Sequence, residues 1–260
     1  MVDYIKNIVV IPVRLSSSRF PNKPLVLLNG KTMIEHTWAR SIKSNLVDEV
    51  LIATPDKKIK NLMESKGAIV VMTSHRHEMC MDRVNEAVQK TKNYKNNIIV
   101  VQGDEPLINA NLINKVINNI NKKPRVEMIS LVKKITDKSE ENNPNRVKVV
   151  YNKSGYVHYI SREKIPSSKK YKSKIKYYKL ICVYGLSGSF LKKYSKLKMS
   201  YHEKIESIDI LRVIDNNYKL KVIEVFDDLY NIDTKSDVSV VKKNVKKNSL
   251  VIFFIFFIVN

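Results

Sequence analysis

The chain has 260 residues, a length that suits one sizeable α/β domain or a domain with a small extra lobe. Its 43% hydrophobic content is typical of a globular protein and argues against disorder. Only two cysteines are present, Cys80 and Cys182, which argues against a disulfide framework and fits a reducing compartment. The first residues show no signal-peptide pattern, so we expect a cytoplasmic protein.

The formal net charge is +22, from 47 Lys and Arg against 25 Asp and Glu. Such an excess can indicate nucleic-acid or anionic-membrane binding. Here lysine far outnumbers arginine, asparagine is abundant and the lysines are scattered, which favours a compositional bias. We therefore expect no nucleic-acid partner, although the same field would favour a polyanionic substrate such as a nucleoside triphosphate.

The first 120 residues alternate between short β-branched runs and helical patterns. This alternation predicts an α/β fold with a mostly parallel sheet flanked by helices. Ligands of such sheets bind beyond the carboxyl ends of the strands, here at the polar loops 14–23, 73–83 and 102–106. The predicted strands are 8–13, 49–54, 68–72 and 97–102, and the predicted helices are 33–43, 56–66, 82–91 and 111–121.

The pattern changes from about Lys133 onwards. We divide the chain into one domain at 1–247, which contains a smaller lobe at about 133–200, and an apolar tail at 248–260. The predicted elements of this second half are a hairpin at 147–151 and 155–160, a Lys/Ser/Tyr-rich loop at 167–179, a strand at 180–185, a helix at 205–216 and a strand at 220–225.

The tail 248–260 is continuously apolar but falls short of the ~20 residues that span a bilayer. It can be a peripheral membrane anchor behind the Lys-rich segment 242–247, a buried strand or a non-native reading-frame tail. We favour an accessory tail outside the main fold and give membrane contact less weight.

The loop from Arg14 to Leu25 places three cations and three serines directly after the first strand. Hydroxyls, backbone N–H groups and cations on one loop suit a polyphosphate. The loop lacks the Gly-x-x-x-x-Gly-Lys pattern of a Walker loop. Its alternative interpretation is a solvated loop with basic residues by chance.

Two acidic positions lie far apart in the chain, Asp104 after the fourth strand and Asp233 near the end. A carboxylate behind a glycine at the end of an apolar strand can hold Mg²⁺ at the sheet edge. Each also has a structural alternative, because Asp104 can belong to a helix-capping turn and Asp233 can cap the last helix.

Together these segments resemble the 3-deoxy-manno-octulosonate (Kdo) cytidylyltransferases, also called CMP-Kdo synthetases, and more broadly the sugar-acid cytidylyltransferases. The resemblance runs through about residues 8–240. It is carried by Pro12-Val13-Arg14, Ser18-Arg19, Pro21-Asn22-Lys23-Pro24-Leu25, Asn29-Gly30-Lys31-Thr32, Val101-Gln102-Gly103-Asp104-Glu105-Pro106, Asn143-Pro144-Asn145-Arg146-Val147-Lys148-Val149, Tyr159-Ile160-Ser161-Arg162, Ile165-Pro166, Glu203, Ile205, Glu206, Leu211, Arg212 and Asp233-Thr234.

The resemblance implies a nucleotide-diphospho-sugar transferase-like fold and a homodimer to which the smaller lobe contributes. It implies transfer of CMP from CTP to the anomeric hydroxyl of Kdo or a related 2-keto-3-deoxy sugar acid, for surface-polysaccharide synthesis. The hydroxyl would attack the α-phosphorus and pyrophosphate would leave. Mg²⁺ would activate the hydroxyl and neutralise phosphate oxygens, while Arg14 and Lys23 stabilise the leaving group.

Roles carried over residue by residue fall into four groups. The resemblance implies that the catalytic residues are Arg14, Lys23 and Asp104. It implies Asp104 and Asp233 as the Mg²⁺ ligands. The sugar-acid contacts are Gln102, Arg162, Tyr184 and Glu206, with Arg162 suited to a carboxylate. The nucleotide contacts are Pro12, Arg14, Ser18, Arg19, Lys23, His77 and Arg83.

The sequence departs from the family pattern around the second polar loop. Where the family has His-Gln-Ser-Gly-Thr-Glu-Arg, segment 77–83 keeps the terminal His77 and Arg83 but has Cys80 in place of the glycine, which restricts the backbone. Leu180 and Ile210 replace a His and a Gln expected near the sugar, and apolar side chains cannot bond a hydroxyl. Our hypothesis is a related acid rather than Kdo itself.

Three other interpretations stay open. The chain can be a nucleotidyltransferase for a different sugar or sugar acid, a polyanion- or membrane-surface-binding protein, or an inactive relative with an altered loop. Cys80 lacks the His/Cys spacing of a metal site, and a structural role is favoured for it over catalysis.

Overall fold

A computed structural model describes residues 4–17, 20–122, 126–170, 175–227 and 229–245. The predicted nucleotide contacts Ser18 and Arg19 lie outside the described residues. So do the apolar tail 248–260 and positions 171–174 of the predicted loop.

The described chain alternates strands and helices through its first half, as predicted. The strands are β1 (Asn7–Pro12), β2 (Leu27–Leu28), β3 (Lys31–Thr32), β4 (Glu49–Thr54), β5 (Ile69–Met72), β6 (Asn97–Val101), β7 (Met128–Lys134), β8 (Lys148–Tyr151), β9 (Val157–Ser161), β10 (Tyr178–Ser187) and β11 (Leu220–Val225). The helices are α1 (Met33–Ser41), α2 (Lys57–Glu64), α3 (Cys80–Lys90), α4 (Ala110–Ile120), α5 (Lys138–Glu141), α6 (Gly188–Tyr194), α7 (Tyr201–Glu206) and α8 (Leu211–Asp215), with a 3₁₀ turn at Lys23–Leu25 and helical residues at 237–245.

The main sheet has the strand order β11-β7-β10-β6-β1-β4-β5. Strands β5, β4, β1 and β6 run parallel, and β11 runs parallel to β7. Strand β10 is antiparallel to both β6 and β7, and β8 and β9 branch from it as an antiparallel pair. The prediction of a mostly parallel sheet is therefore confirmed.

Strand β1 shows why the sheet carries helices on both faces. Its residues are buried in alternation, with Ile8 and Val10 in one core cluster and Val9 and Ile11 in the other. Helices α3, α6 and α8 contribute to the first cluster, and α1, α2 and α4 to the second. A strand covered on both sides needs a continuous apolar run, which is the pattern that β1 has.

The second half differs from the sequence-based expectation in two places. The predicted helix 205–216 is wrong as a single element, because Ser207 adopts a left-handed conformation (φ 52°) that ends α7 before α8 begins. The chain also forms β7, which was not predicted, and β10 extends through 178–187 into the middle of the main sheet. The division into a domain and a smaller lobe at 133–200 stays a prediction.

None of the helices in the described residues has the length and apolar character that crossing a bilayer requires.

Candidate active site

A cavity of about 590 Å³ opens at the carboxyl ends of β1 and β6. This is the edge at which ligands bind in parallel sheets, and the volume is in the range of small-molecule sites. Among the predicted site residues, Tyr184, Glu206 and Asp233 are not in its wall. Those that do line it are Pro12, Arg14, Lys23, His77, Arg83, Gln102, Asp104 and Arg162.

Two chain segments that are far apart in sequence meet at Lys23. The Lys23 Nζ atom lies 2.8 Å from Asp104 Oδ2 and donates to the Ile232 carbonyl at 2.7 Å. The backbone N–H of Ile232 donates to the Asp104 carbonyl at 3.2 Å. The structure therefore brings Asp104 and the segment that carries Asp233 together, beside a cation of the first polar loop.

Asp233 is a buried carboxylate, with 7% of the residue exposed. Its Oδ2 atom accepts from Arg146 Nη1 at 2.9 Å and from Asn231 Nδ2 at 2.5 Å. The carboxylate that accepts the backbone N–H groups of Asp233 and Thr234, ahead of the helical residues 237–245, belongs to Asp237. Asp237 thereby ties the turn that carries Asp233 to the helical residues that follow.

A third acid, Glu105, lies beneath this pair and is only 4% exposed. Burial, followed by the charges of Asp104 and Asp233, raises the pKa of Glu105 to about 8. Glu105 is therefore mostly neutral near pH 7, which leaves the Asp104 and Asp233 carboxylates as the oxygen ligands of the kind that Mg²⁺ prefers.

The donor set fits Mg²⁺ shared with a phosphate better than a metal held by protein alone. Within the described ranges, no group of three or more His, Cys, Asp or Glu is placed to hold an ion. Magnesium ordinarily takes one or two carboxylates plus substrate phosphates. Asp104 and Asp233 fit that pattern.

A backbone carbonyl of the second polar loop (73–83) bonds to two arginines. The carbonyl of His77 accepts from Arg14 Nη1 at 3.1 Å and from Arg83 Nη2 at 3.2 Å. The His77 ring contacts Glu86 Oε2 at 2.5 Å. Burial opposes ionisation of Glu86, but bonds from Lys90, Ser74 and His77 outweigh it and lower its pKa to about 2. Two arginines are thereby held at the cavity wall.

Arg162 is held in the same way on another part of the wall. Its Nε, Nη1 and Nη2 atoms donate to the carbonyls of Glu206, Pro144 and Ser207 at 2.7, 3.1 and 3.2 Å. The Glu206 carboxylate accepts from the Ser161 hydroxyl at 2.5 Å and from the Arg162 backbone N–H at 2.9 Å. Glu206 thus positions Arg162, and direct contact of Glu206 with a sugar acid stays a prediction.

Beside Gln102 and Cys80 of the cavity wall lies Asp209, a residue that the sequence analysis did not single out. Gln102 Nε2 lies 3.5 Å from Tyr184 Oη and 3.7 Å from Cys80 Sγ, and Cys80 Sγ lies 2.8 Å from Asp209 Oδ2. Burial raises the pKa of both Asp209 and the Cys80 thiol. A neutral thiol is a poor nucleophile, which agrees with a structural role for Cys80. The sequence feature that could have pointed to Asp209 is its position as an acidic residue between Ile208 and Ile210.

The two apolar replacements behind the related-acid hypothesis lie in the core. Leu180 is 7% exposed and Ile210 is fully buried, and both belong to a hydrophobic cluster. Neither lines the 590 Å³ cavity. The structure therefore gives that hypothesis no geometric support.

A mostly parallel sheet whose strand ends carry cations and Asp104 around one cavity, joined through Lys23 to the segment that carries Asp233, fits an enzyme of the nucleotidyltransferase class. The sequence profile of one such family, described as cytidylyltransferase, matches residues 8–224. The chain belongs to the cytidylyltransferase family. The resemblance stated from the motifs is confirmed.

Curated relatives share most of their length with this chain. It is 39% identical to a 3-deoxy-manno-octulosonate cytidylyltransferase of Fusobacterium nucleatum, over 93% of this chain and 97% of the relative. It is 40% identical to that of Thermodesulfovibrio yellowstonii, over 91% and 96%. A mitochondrial relative from Arabidopsis thaliana is 34% identical, over 93% and 83%.

A solved structure supports the same kinship. The structure of a CMP:2-keto-3-deoxy-manno-octonic acid synthetase complexed with CTP superposes with a TM-score of 0.85, at 30% identity, over 94% of this chain and 99% of the other. A cytidylyltransferase from Leptospira borgpetersenii, at 15% identity and a TM-score of 0.61, shares the fold.

Proposed function

We propose that this protein transfers CMP from CTP to the anomeric hydroxyl of Kdo or a closely related 2-keto-3-deoxy sugar acid and releases pyrophosphate. The observation that supports this most is the contact of Lys23 with both Asp104 and the segment that carries Asp233. Lys23 and Asp104 line a cavity that Arg162 also lines. The names of the relatives and the CTP complex of the structural neighbour support the same donor and acceptor.

The cationic groups account for the nucleotide. Arg14 and Lys23 both line the cavity, and together they would hold the triphosphate and offset the charge that grows on the leaving pyrophosphate. Arg83, fixed by Thr73 Oγ1 at 2.6 Å, adds a third positive charge to the same wall. Such preorganised charges cost little reorganisation during the reaction.

Asp104 and Asp233 are the residues that would hold Mg²⁺. When bound, the ion would lower the pKa of the attacking hydroxyl and neutralise phosphate oxygens. The backbone bond between Ile232 and Asp104 keeps the two carboxylate-bearing segments in register.

Arg162 is the group suited to the acid's carboxylate. Three of its five N–H donors bond to carbonyls of described residues, so two remain for a planar carboxylate. Gln102, with its amide at the cavity floor beside Tyr184, can bond sugar hydroxyls.

Pyrophosphate release tests the proposal directly. With CTP and Mg²⁺ we expect release that depends on Kdo or a close analogue and that falls sharply with ATP, GTP or UTP. Arg162→Met should raise the KM for the acid by about tenfold or more and leave the KM for CTP unchanged, because only the acid loses its charge partner. The exposed Arg76 outside the cavity wall supplies the control, Arg76→Met.

The outcomes separate the candidates. Release that needs no acid, or that occurs equally with all nucleotides, contradicts the proposal. Among the acids, the highest kcat/KM for Kdo identifies it as the substrate, and a higher value for another 2-keto-3-deoxy acid restores the related-acid hypothesis. An absence of release with every acid favours an inactive relative.

The proposed setting is the cytoplasm. The described cysteines Cys80 and Cys182 are both free thiols, as is usual in a reducing compartment. A cytoplasmic location would also give the enzyme access to CTP.

We also propose that the protein is a homodimer, with α7 in the interface. Tyr201 and Ile205 stand one turn apart on α7 and are 74% and 67% exposed, and nearby Met199 is 41% exposed. An apolar group of this kind is typical of a contact between proteins. Light scattering should give twice the chain mass, and Ile205→Glu should halve it.

Phe226, which is 80% exposed after β11, provides the matched control. Phe226→Glu should leave the mass of the dimer unchanged. A monomeric wild type, or an Ile205→Glu variant that stays dimeric, would show that α7 is not the interface.

A further inference from the structure

Arg146 lies behind the main cavity and is surrounded by carboxylates. Its Nη1 atom donates to Asp233 Oδ2 at 2.9 Å, Nη2 to Asp237 Oδ1 at 3.3 Å and Nε to Glu140 Oε1 at 3.1 Å. The Arg146 side chain is 12% exposed and that of Asp233 is 8% exposed. This ion pair is therefore shielded from water, where charge interactions are strong.

The other proposed ligand has a cation of its own. Lys23 Nζ lies 2.8 Å from Asp104 Oδ2, with side chains 12% and 22% exposed. Each of the two carboxylates that would face Mg²⁺ is thus paired with a protein cation. Lys23 and Arg146 thus offset the charges of Asp104 and Asp233 and weaken the attraction that a free divalent ion would feel, with Arg146 shared among Asp233, Asp237 and Glu140.

The two cations differ in shape and in position. Arg146 is a planar fork bonded to three carboxylates, whereas Lys23 carries a single ammonium, bonded to Asp104 and to the Ile232 carbonyl, in the wall of the cavity. A triphosphate can attract the Lys23 ammonium without disturbing Arg146. It also supplies the oxygen ligands that two carboxylates alone do not provide.

We propose that Arg146 is a positioning residue that keeps Asp233 oriented and neutralised, so that the protein binds a divalent cation together with the triphosphate and hardly at all before it. Asn231, which donates to the same Oδ2 atom, assists in this orientation. The inference rests on the proposed function, in which Asp104 and Asp233 are the metal ligands.

A titration of the full chain with Mn²⁺ in the absence of nucleotide tests this inference. Binding is measured as the decrease of the electron paramagnetic resonance signal of free Mn²⁺. The wild type should bind Mn²⁺ weakly. Arg146→Gln, which keeps an amide donor near Asp233 but removes the charge, should tighten binding by about tenfold or more, because a unit charge within a few ångströms has at least that effect after screening. Arg146→Lys restores the charge and should bind as weakly as the wild type.

Two further variants show where the gain arises. Arg146→Gln combined with Asp233→Asn should lose the gain, because the ligand is gone. Glu140→Gln perturbs the same arginine from its other side. Because it removes a negative charge and leaves Lys179 without that partner, it should not tighten Mn²⁺ binding. A purely structural role for Arg146 predicts weaker binding in Arg146→Gln.

The inference is overturned if the wild type binds Mn²⁺ tightly without nucleotide and Asp104→Asn abolishes that binding. This outcome needs no Arg146 variant. An Arg146→Gln protein that is folded but binds no tighter than the wild type also overturns the inference. Failure of the proposed function is seen separately, as an absence of acid-dependent pyrophosphate release by the wild type with CTP.

Discussion

Asp104→Asn should reduce acid-dependent pyrophosphate release by about 10²- to 10³-fold, the size of effect seen when one preorganised charge-stabilising group is removed from an active site. Asparagine has nearly the same shape, but it lacks the negative charge that pairs with Lys23 and that would face Mg²⁺. The backbone carbonyl that receives the Ile232 N–H is unchanged, so the fold should persist.

The measurement is kcat under saturating CTP and acid, with melting temperature as the check on folding. Asp48→Asn is the matched control, because Asp48 bonds the Asn7 backbone N–H at 2.7 Å at the amino end of β1, away from the cavity. It should keep its kcat. An Asp104→Asn protein that retains more than a tenth of the wild-type kcat would remove Asp104 from the catalytic machinery.

Arg212→Met is expected to produce the largest loss of stability, about 3–5 kcal/mol in the free energy of unfolding, which is the usual result of breaking a buried ion pair. Arg212 donates to both oxygens of Glu203 at 2.8 and 2.6 Å. The two side chains are 4% and 0% exposed, and the guanidinium lies 4.5 Å from the Tyr194 ring centre. Methionine would leave the Glu203 carboxylate buried without its partner.

Urea denaturation of single and double variants checks this origin. Arg212→Met combined with Glu203→Gln should be more stable than Arg212→Met alone, because a neutral amide is less costly to bury and can keep the bond to the Ser200 N–H. If the double variant is the less stable of the two, the loss does not come from the stranded charge.

The sheet around the cavity could be predicted from the sequence because its strands carry a local signal. Strands β1, β4 and β6 are buried on both faces, so each appears as a continuous apolar run, and the polar loops 14–23 and 102–106 follow β1 and β6. The position of the cavity then follows from the shared direction of parallel strands. Asp104 could be placed there for that reason, and Asp233 only through the family resemblance.

The features that could not be predicted depend on pairing between distant segments. Nothing local to β10 says that it lies between β6 and β7 in the opposite direction, since that choice is made by contacts across the sheet. The contact of Cys80 with Asp209 joins residues 129 positions apart. Ser207 breaks a plausible helix by adopting a left-handed conformation that its residue type does not announce.

The junction of Lys23 with Ile232 also has a consequence for synthesis of the protein on the ribosome. Strands β1, β4, β5 and β6 all precede residue 102, so the nascent chain can begin to pair them early. Lys23 and Asp104 can form their bonds to Ile232 only after that residue has been translated, more than a hundred residues later. Under the proposed roles of Asp104 and Asp233, we expect the emerging polypeptide to be inactive until Asp233 has been translated and the junction has formed.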